Sequence, residues 1–177
     1  SVLTAMAFDF AQGMEIKSLD NMLYVYLFIN GIFLLFSYPL LYLVEKLFGF
    51  VSSVTLIELS NINNPLLRRL SKEAAGTFNH SMQVANLAAD AASKIGAKVL
   101  LVRTGAMYHD IGKLKNPAFF TENQSGVNPH DQLSPEGSAR IIISHVPEGL
   151  KLAEKNHLPS AVKSFISTHH GRSKAKY

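Results

Sequence analysis

Hydrophobic and polar positions divide the chain into one long apolar run and a series of shorter amphipathic segments. The run MLYVYLFINGIFLLFSYPLLYLV, residues 22–44, contains no charged side chain. As an α-helix it would be roughly 34 Å long, which is enough to cross the hydrocarbon core of a bilayer. We therefore predict a transmembrane helix at about 22–44. The alternative is a buried helix of a soluble protein.

From Ser71 onward, apolar positions recur at helical spacing, and no convincing alternating pattern of a strand is present. The segment AKVLLVRTGAMYHDIG, residues 97–112, is nearly all apolar, so we predict a helix in the middle of the domain that ends at Gly112. Pro147 and Pro159 are expected to punctuate two further helices. The predicted fold class is all-α, a helical bundle preceded by a transmembrane helix.

Charge is distributed unevenly along the chain. Residues 1–60 carry 2 basic and 5 acidic side chains, a net charge of −3, whereas residues 61–177 carry 15 basic and 8 acidic side chains, a net charge of +7. This asymmetry is typical of a membrane part followed by a part that meets phosphates or anionic lipid. We predict a membrane segment at 1–50, a connector at 51–70 without chemistry of its own, and a helical domain at 71–177 that is incomplete at its C-terminus.

The basic side chains that follow the apolar run also predict the orientation of the chain. Lys46, Arg68, Arg69 and Lys72 all come after the predicted span. Because basic residues are enriched on the cytoplasmic side of membrane helices, the C-terminal part is expected in the cytoplasm.

The histidines are the candidate metal-binding residues of the chain. The chain has no cysteine, so any metal ion must be held by nitrogen and oxygen ligands. A lone histidine on a helix is usually a structural residue. Here each of four predicted helices carries a histidine at a comparable position, which indicates that these side chains meet at one site. The candidate ligands are His80, His109, Asp110, His145, His169 and His170. Six ligands exceed one tetrahedral site, so we predict two metal ions bridged by Asp110.

Such a pair of metal ions has a known use in phosphoryl chemistry. Two metals about 3.5–4 Å apart clamp a phosphoryl group and make a hydroxide available for in-line attack. Asp110 would tune that nucleophile, and Lys113 could neutralise a phosphate oxygen, although a solvated lysine at the start of a loop is an equal alternative. His130 and His157 have polar neighbours in the sequence and are predicted to be surface residues.

The pattern H…HD…H…HH resembles that of the HD-domain metallophosphohydrolases. The resemblance is closer to one branch, the membrane receptors in which seven transmembrane helices precede a cytosolic HD domain. It rests on three long stretches that cover nearly everything after residue 54: LIELSNINNPLLRRLSKEAAGTFNHSMQVANLA, LLVRTGAMYHDIGKLKNPAFFTENQSGVNPHDQLSPEGSARIIISHV and LPSAVKSFISTHHGRSKAKY. Two positions depart from the family pattern, which usually has Pro at Ala75 and His at Asn79.

The resemblance implies a phosphodiesterase that hydrolyses the bacterial second messenger cyclic di-AMP to pApA. It implies a di-iron or di-manganese centre on the six candidate ligands, with one further Asp ligand expected beyond Tyr177. It also implies a multi-pass protein of the bacterial inner membrane with a cytoplasmic HD domain. The expected partners are cyclic di-AMP and the lipid bilayer, with no DNA or RNA polymer, and a homo-oligomer stays open.

Two other functions stay open. The first keeps the site and changes the substrate, for example to a mononucleotide, an alarmone or cyclic di-GMP. The sequence after the last His-His pair reads GRSKAKY, without the Gly-Tyr-Pro motif typical of cyclic di-GMP enzymes of this superfamily. The second is a non-catalytic sensor module that binds a nucleotide and changes the membrane part.

Overall fold

The computed structural model describes residues 21–48 and 50–171. Within these ranges the chain forms α-helices and 3₁₀ turns and no strand, so the prediction of an all-α fold is confirmed. Contacts divide the chain into two units, with the boundary between Phe50 and Val51. The first 20 residues of the predicted membrane segment and the last six of the predicted domain lie outside the described residues.

Among the described residues of the first unit, Asn21–Phe48 form one helix, α1. Its segment Val25–Val44 is 20 residues long with a mean hydropathy of 2.0, long and apolar enough to cross a membrane. Large apolar side chains such as Phe33 and Leu35 are exposed along it. Pro39 lies inside the helix, as membrane helices tolerate.

Residues 51–171 of the second unit form six helices and four 3₁₀ turns. The helices are α2 (Ser53–Leu59), α3 (Pro65–Glu73), α4 (Ala75–Lys94), α5 (Val99–Tyr108), α6 (Pro135–Lys155) and α7 (Ser160–Thr168). Between α5 and α6 the 3₁₀ turns are Ile111–Lys115, Pro117–Phe119, Thr121–Asn123 and Pro129–Gln132. We call the segment 116–124 the clamp loop.

Helix α5 lies in the middle of this unit, as its apolar sequence predicts. It packs against α2, α4 and α7, and its last turn, with Ala106, Met107 and Tyr108, is buried. The buried phenol of Tyr108 donates a hydrogen bond to the carbonyl of Leu59 at 2.8 Å. Burial raises the pKa of this phenol well above its ordinary value, so it stays a donor.

Residues 51–70, for which a connector is predicted, contribute to the same core. Four leucines of α2 and α3 are buried there: Leu56, Leu66, Leu67 and Leu70. A hydrogen bond of 2.7 Å joins Ser60 Oγ to Thr104 Oγ1 of α5. These contacts place the segment within the helical unit.

Two predicted helix boundaries are wrong. Helix α5 ends at Tyr108 and not at Gly112, which lies inside the following 3₁₀ turn. Pro147 lies inside α6 and does not separate two helices. A proline removes one main-chain hydrogen bond, but residues of α6 on both sides of it, including His145 and Gly149, are buried. This packing outweighs the cost of the missing bond.

Candidate metal centre

The His-Asp pair sits where the central helix ends. His109 is the residue that caps the C-terminus of α5, and Asp110 follows it directly. Both side chains are buried, with 8% of His109 and 3% of Asp110 exposed. A buried carboxylate is costly unless charged partners surround it, so the surroundings of Asp110 define the site.

The six predicted ligands lie in two groups around this pair. One consists of His80 on α4 together with His109 and Asp110, and the other consists of His145 on α6 with His169 and His170 at the end of α7. Within each group the ligand atoms all lie within 4.8 Å of one another. The structure thus brings together every candidate ligand named from the sequence.

Asp110 stands between the two groups. Its Oδ2 lies 3.1 Å from Nε2 of His109 and 2.9 Å from Nζ of Lys113. Its Oδ1 faces the second group, 3.6 Å from Nε2 of His145 and 3.5 Å from Nε2 of His169. These separations are too long for good hydrogen bonds, so Oδ1 is a buried oxygen without a hydrogen-bond partner.

Three of the histidines share one hydrogen-bond pattern. Nδ1 of His109 donates to the carbonyl of Ala106 at 2.7 Å, and Nδ1 of His169 donates to that of Ile166 at 2.9 Å. Nδ1 of His145 likewise donates to the carbonyl three residues earlier. A carbonyl can only accept, so Nδ1 carries a proton in all three rings and Nε2 is the nitrogen that would bind an ion; in His109 this Nε2 contacts Asp110 Oδ2.

In the second group, imidazole nitrogens approach one another closely. Nε2 of His145 lies 2.9 Å from Nε2 of His170 and 3.3 Å from Nε2 of His169. Burial lowers the pKa of His145 and also that of His170. Neutral imidazole is the form that binds metal ions. This nitrogen cluster and the unpartnered Asp110 Oδ1 fit a divalent cation.

The first group has a different electrostatic balance. Burial would raise the pKa of Asp110, but hydrogen bonding by His109, the nearby imidazole of His169 and the charge of Lys113 lower it well below its ordinary range. Burial would lower the pKa of His109, yet its contact with Asp110 raises it. The carboxylate is therefore ionised and available as a ligand.

Lys113 does not extend into solvent. Its side chain is 14% exposed, and Nζ contacts Oδ2 of Asp110 at 2.9 Å and Oε1 of Glu122 at 2.7 Å. Burial would lower the pKa of this ammonium, but the two carboxylates raise it, so it is charged. The alternative of a solvated lysine is wrong for this structure.

Close backbone packing sets the distance between the two groups. A Cβ atom on Gly112 would overlap the carbonyl of His145 and the amide of Gly149, both in the backbone of α6. Only glycine allows α6 to cross the 3₁₀ turn this closely, and this crossing brings His145 to Asp110. Gly112 is therefore a residue of close approach.

The two remaining histidines lie outside both groups. His157 is exposed, as predicted, and has a positive φ of 53°. His130 is half-buried, contrary to the prediction of a surface residue, because its Nε2 donates to the carbonyl of Phe119 at 2.9 Å and its ring packs edge-on against that phenylalanine.

Two residues near the site were not identified from the sequence. Glu122 contacts Lys113, and the ring of Phe120 lies 5.0 Å from Nζ of Lys113 and 5.9 Å from the ring of His145. Both come from the clamp loop, whose 3₁₀ turns have no long periodicity. The only available signal was a cluster of aromatic and acidic residues soon after the His-Asp pair.

Comparison with known proteins gives consistent matches. The HD domain model matches residues 77–176. The chain is 44% identical over 165 residues to the cyclic-di-AMP phosphodiesterase PgpH of Listeria monocytogenes serotype 1/2a (strain 10403S), and 42% identical over 166 residues to that of Bacillus subtilis (strain 168). Each alignment covers 93% of this chain but only 23% of the relative.

A solved structure extends the likeness to three dimensions. The crystal structure of the L. monocytogenes phosphodiesterase PgpH HD domain in complex with cyclic-di-AMP is 50% identical and superposes with a TM-score of 0.64. The match covers 66% of this chain and 55% of that one. The family model spans more than half of the residues and includes both ligand groups, and the chain belongs to the HD domain family.

Proposed function

We propose that this chain is part of a metal-dependent phosphodiesterase that hydrolyses cyclic di-AMP to pApA in bacterial second-messenger signalling. The observation that carries the proposal is the position of Asp110 between two groups of imidazoles, with Oδ1 buried and unpartnered. Relatives named cyclic-di-AMP phosphodiesterase, at 44% and 42% identity, support the choice of substrate.

The proposed cofactor is a pair of divalent metal ions, either iron or manganese. His80 and His109 would hold one ion, the second histidine group would hold the other, and Asp110 would bridge them. When bound, the two ions would clamp the phosphodiester and supply the attacking nucleophile. Nitrogen and carboxylate ligands suit these metals.

The protein's own residues would fix the geometry of the reaction. The Nδ1 hydrogen bonds of His109, His145 and His169 hold each imidazole with Nε2 facing the centre. Lys113 is charged and lies beside Asp110, where its ammonium would meet a phosphate oxygen of the substrate. Because the ammonium is already oriented, little reorganisation would be needed when substrate arrives.

The proposed location is the bacterial inner membrane. Helix α1 would be one span of a multi-pass protein, lipid would surround its exposed apolar side chains, and the HD domain would face the cytoplasm. The proposed division is a membrane segment at 1–50, a connector at 51–70 that packs within the helical unit, and the HD domain at 71–177. A homo-oligomer is compatible with this arrangement.

The test is an assay of the full-length protein in detergent with Mn²⁺ and cyclic di-AMP. We expect pApA by chromatography from the wild type and from His157→Ala, and none from Asp110→Asn, which keeps the shape of the side chain but removes its charge. Two bound metal ions per chain without any product would refute cyclic di-AMP as substrate, and the same protein would then be assayed on other nucleotides.

A further inference from the structure

The ammonium of Lys113 is held from two sides. Asp110 contacts it at 2.9 Å from within the candidate metal centre, and Glu122 contacts it at 2.7 Å from the clamp loop. A lysine side chain is long and flexible, so one partner alone leaves it many conformations. Two carboxylates on different segments restrict the ammonium to the space between them.

Glu122 is itself fixed to the start of α4. The hydroxyl of Thr77, which is fully buried, donates to Oε1 of Glu122 at 3.0 Å. This oxygen also accepts from Lys113, so one carboxylate oxygen connects the helix to the ammonium. Burial would raise the pKa of Glu122, but its contact with Lys113 holds that pKa below its ordinary value, so the contact is a charged one.

The neighbouring residue of the clamp loop makes the second attachment to α4. The amide of Thr77 donates to Oδ1 of Asn123 at 3.0 Å, and Nδ2 of Asn123 donates to Oγ1 of Thr77 at 2.8 Å. The backbones also touch, because a Cβ atom on Gly76 would overlap the carbonyl of Glu122. The position of the Glu122 backbone is thus set by α4.

Phe120 of the clamp loop also lies beside Lys113. Its buried ring lies 5.0 Å from Nζ of Lys113, within the range of a cation–π contact, and 5.9 Å from the ring of His145. The clamp loop therefore contacts both Lys113 and a histidine of the second ligand group.

We propose that Glu122 is a positioning residue, which holds Lys113 against Asp110 and thereby fixes where the ammonium meets a phosphate oxygen of the substrate. Thr77 is the anchor through which α4 orients Glu122. This inference rests on the proposed function for its kinetic consequence, but the contact between Glu122 and Lys113 can be tested without substrate. A charge-assisted hydrogen bond at a partly buried site becomes much weaker when one partner loses its charge.

The first experiment measures the contact itself. Metal-free full-length protein is treated with an amine-acylating reagent, and the labelling rate of each lysine is followed by mass spectrometry. In Glu122→Gln we expect Lys113 to be labelled severalfold faster, with no change at the exposed Lys115 of the same 3₁₀ turn. An unchanged labelling rate at Lys113 would refute the proposal that Glu122 holds Lys113 in place, whatever substrate the enzyme uses.

The second experiment is a double-mutant cycle on the hydrolysis of cyclic di-AMP. We expect kcat/KM to fall about 10-fold in Glu122→Gln and about 100-fold in Lys113→Met. The double variant should also lose about 100-fold, because Glu122 acts through Lys113. A loss of about 1,000-fold in the double variant would mean independent action and would overturn the assignment.

Three further variants separate positioning from folding. Glu154→Gln removes an exposed carboxylate on α6 and should leave both labelling and kinetics unchanged. Thr77→Val should speed the labelling of Lys113 and lower kcat/KM, because Glu122 loses its hydrogen bond to the hydroxyl. Thr77→Ser keeps the hydroxyl and should give wild-type values in both assays. Failure of Thr77→Ser to restore the labelling rate would remove Thr77 from the proposal. A wild type inactive on cyclic di-AMP would refute the proposed function, while the labelling result would still test whether Glu122 holds Lys113 in place.

Discussion

Replacing Gly112 by alanine tests how the two ligand groups are held together. The added Cβ would overlap backbone atoms of His145 and Gly149. Backbone of a long helix cannot move aside as a flexible side chain can, so α6 must shift as a body. Overpacking of this kind costs about 3 kcal/mol of unfolding free energy, the upper part of the usual range. For a domain of this size the melting temperature should fall by about 10 °C.

The same shift should damage the site. His145 belongs to α6, so it would move away from Asp110 with the helix, and a misplacement of about 1 Å can cost about 100-fold in rate. Gly137→Ala is the matched control on α6, because a Cβ there would make only ordinary contacts, at 3.4 Å to Ser134 Oγ and 3.8 Å to Leu133 Cβ.

The assay combines thermal unfolding, followed by circular dichroism with a chelator present, and metal content measured by mass spectrometry. The chelator removes any stabilisation by bound ions, so the melting temperature reports packing alone. We expect Gly112→Ala to have a lower melting temperature and to bind less metal than the wild type. Gly137→Ala should have the melting temperature and metal content of the wild type. If the two variants melted at the same temperature, the argument from close backbone approach would be refuted.

Three other predictions use single side chains. Tyr108→Phe should lower the free energy of unfolding by about 1–2 kcal/mol in urea titration, because it leaves the carbonyl of Leu59 without its donor, and metal content should not change. His145→Ala should reduce the metal bound per chain in equilibrium dialysis, whereas His157→Ala should not; equal losses would contradict the assignment of ligands. Ser134→Ala should lower the unfolding free energy by about 1 kcal/mol in the same titration, because Ser134 Oγ accepts from the amide at the start of α6.

The positions of the candidate ligands were predictable because helical periodicity carries them. His80 and His145 each lie among apolar neighbours on a helix, and the His-Asp pair follows the most apolar segment, so each was expected near the core. The structure buries His145 and the His-Asp pair, whereas His80 is exposed. The structure brings these side chains together, and their role as ligands stays a prediction.

The contacts around Lys113 were not predictable in the same way. Glu122 lies nine residues from Lys113 across three short 3₁₀ turns, and such turns have no repeating pattern from which a direction can be read. The continuation of α6 through Pro147 depends on packing between helices distant in sequence, which outweighs local propensity. The function of Gly112 as a point of close approach also depends on a distant helix.

The hydrogen bonds from Nδ1 to the carbonyl three residues earlier have a consequence for how an ion would enter the site. His109 and His169 each stand at a helix end, and their acceptors, Ala106 and Ile166, belong to the last turn of the same helix. The backbone therefore holds a proton on Nδ1 of both rings before any ion arrives. In the proposed centre the helix ends would orient both imidazoles before an ion binds, and replacing either histidine would also remove a side-chain hydrogen bond to the last turn of its helix.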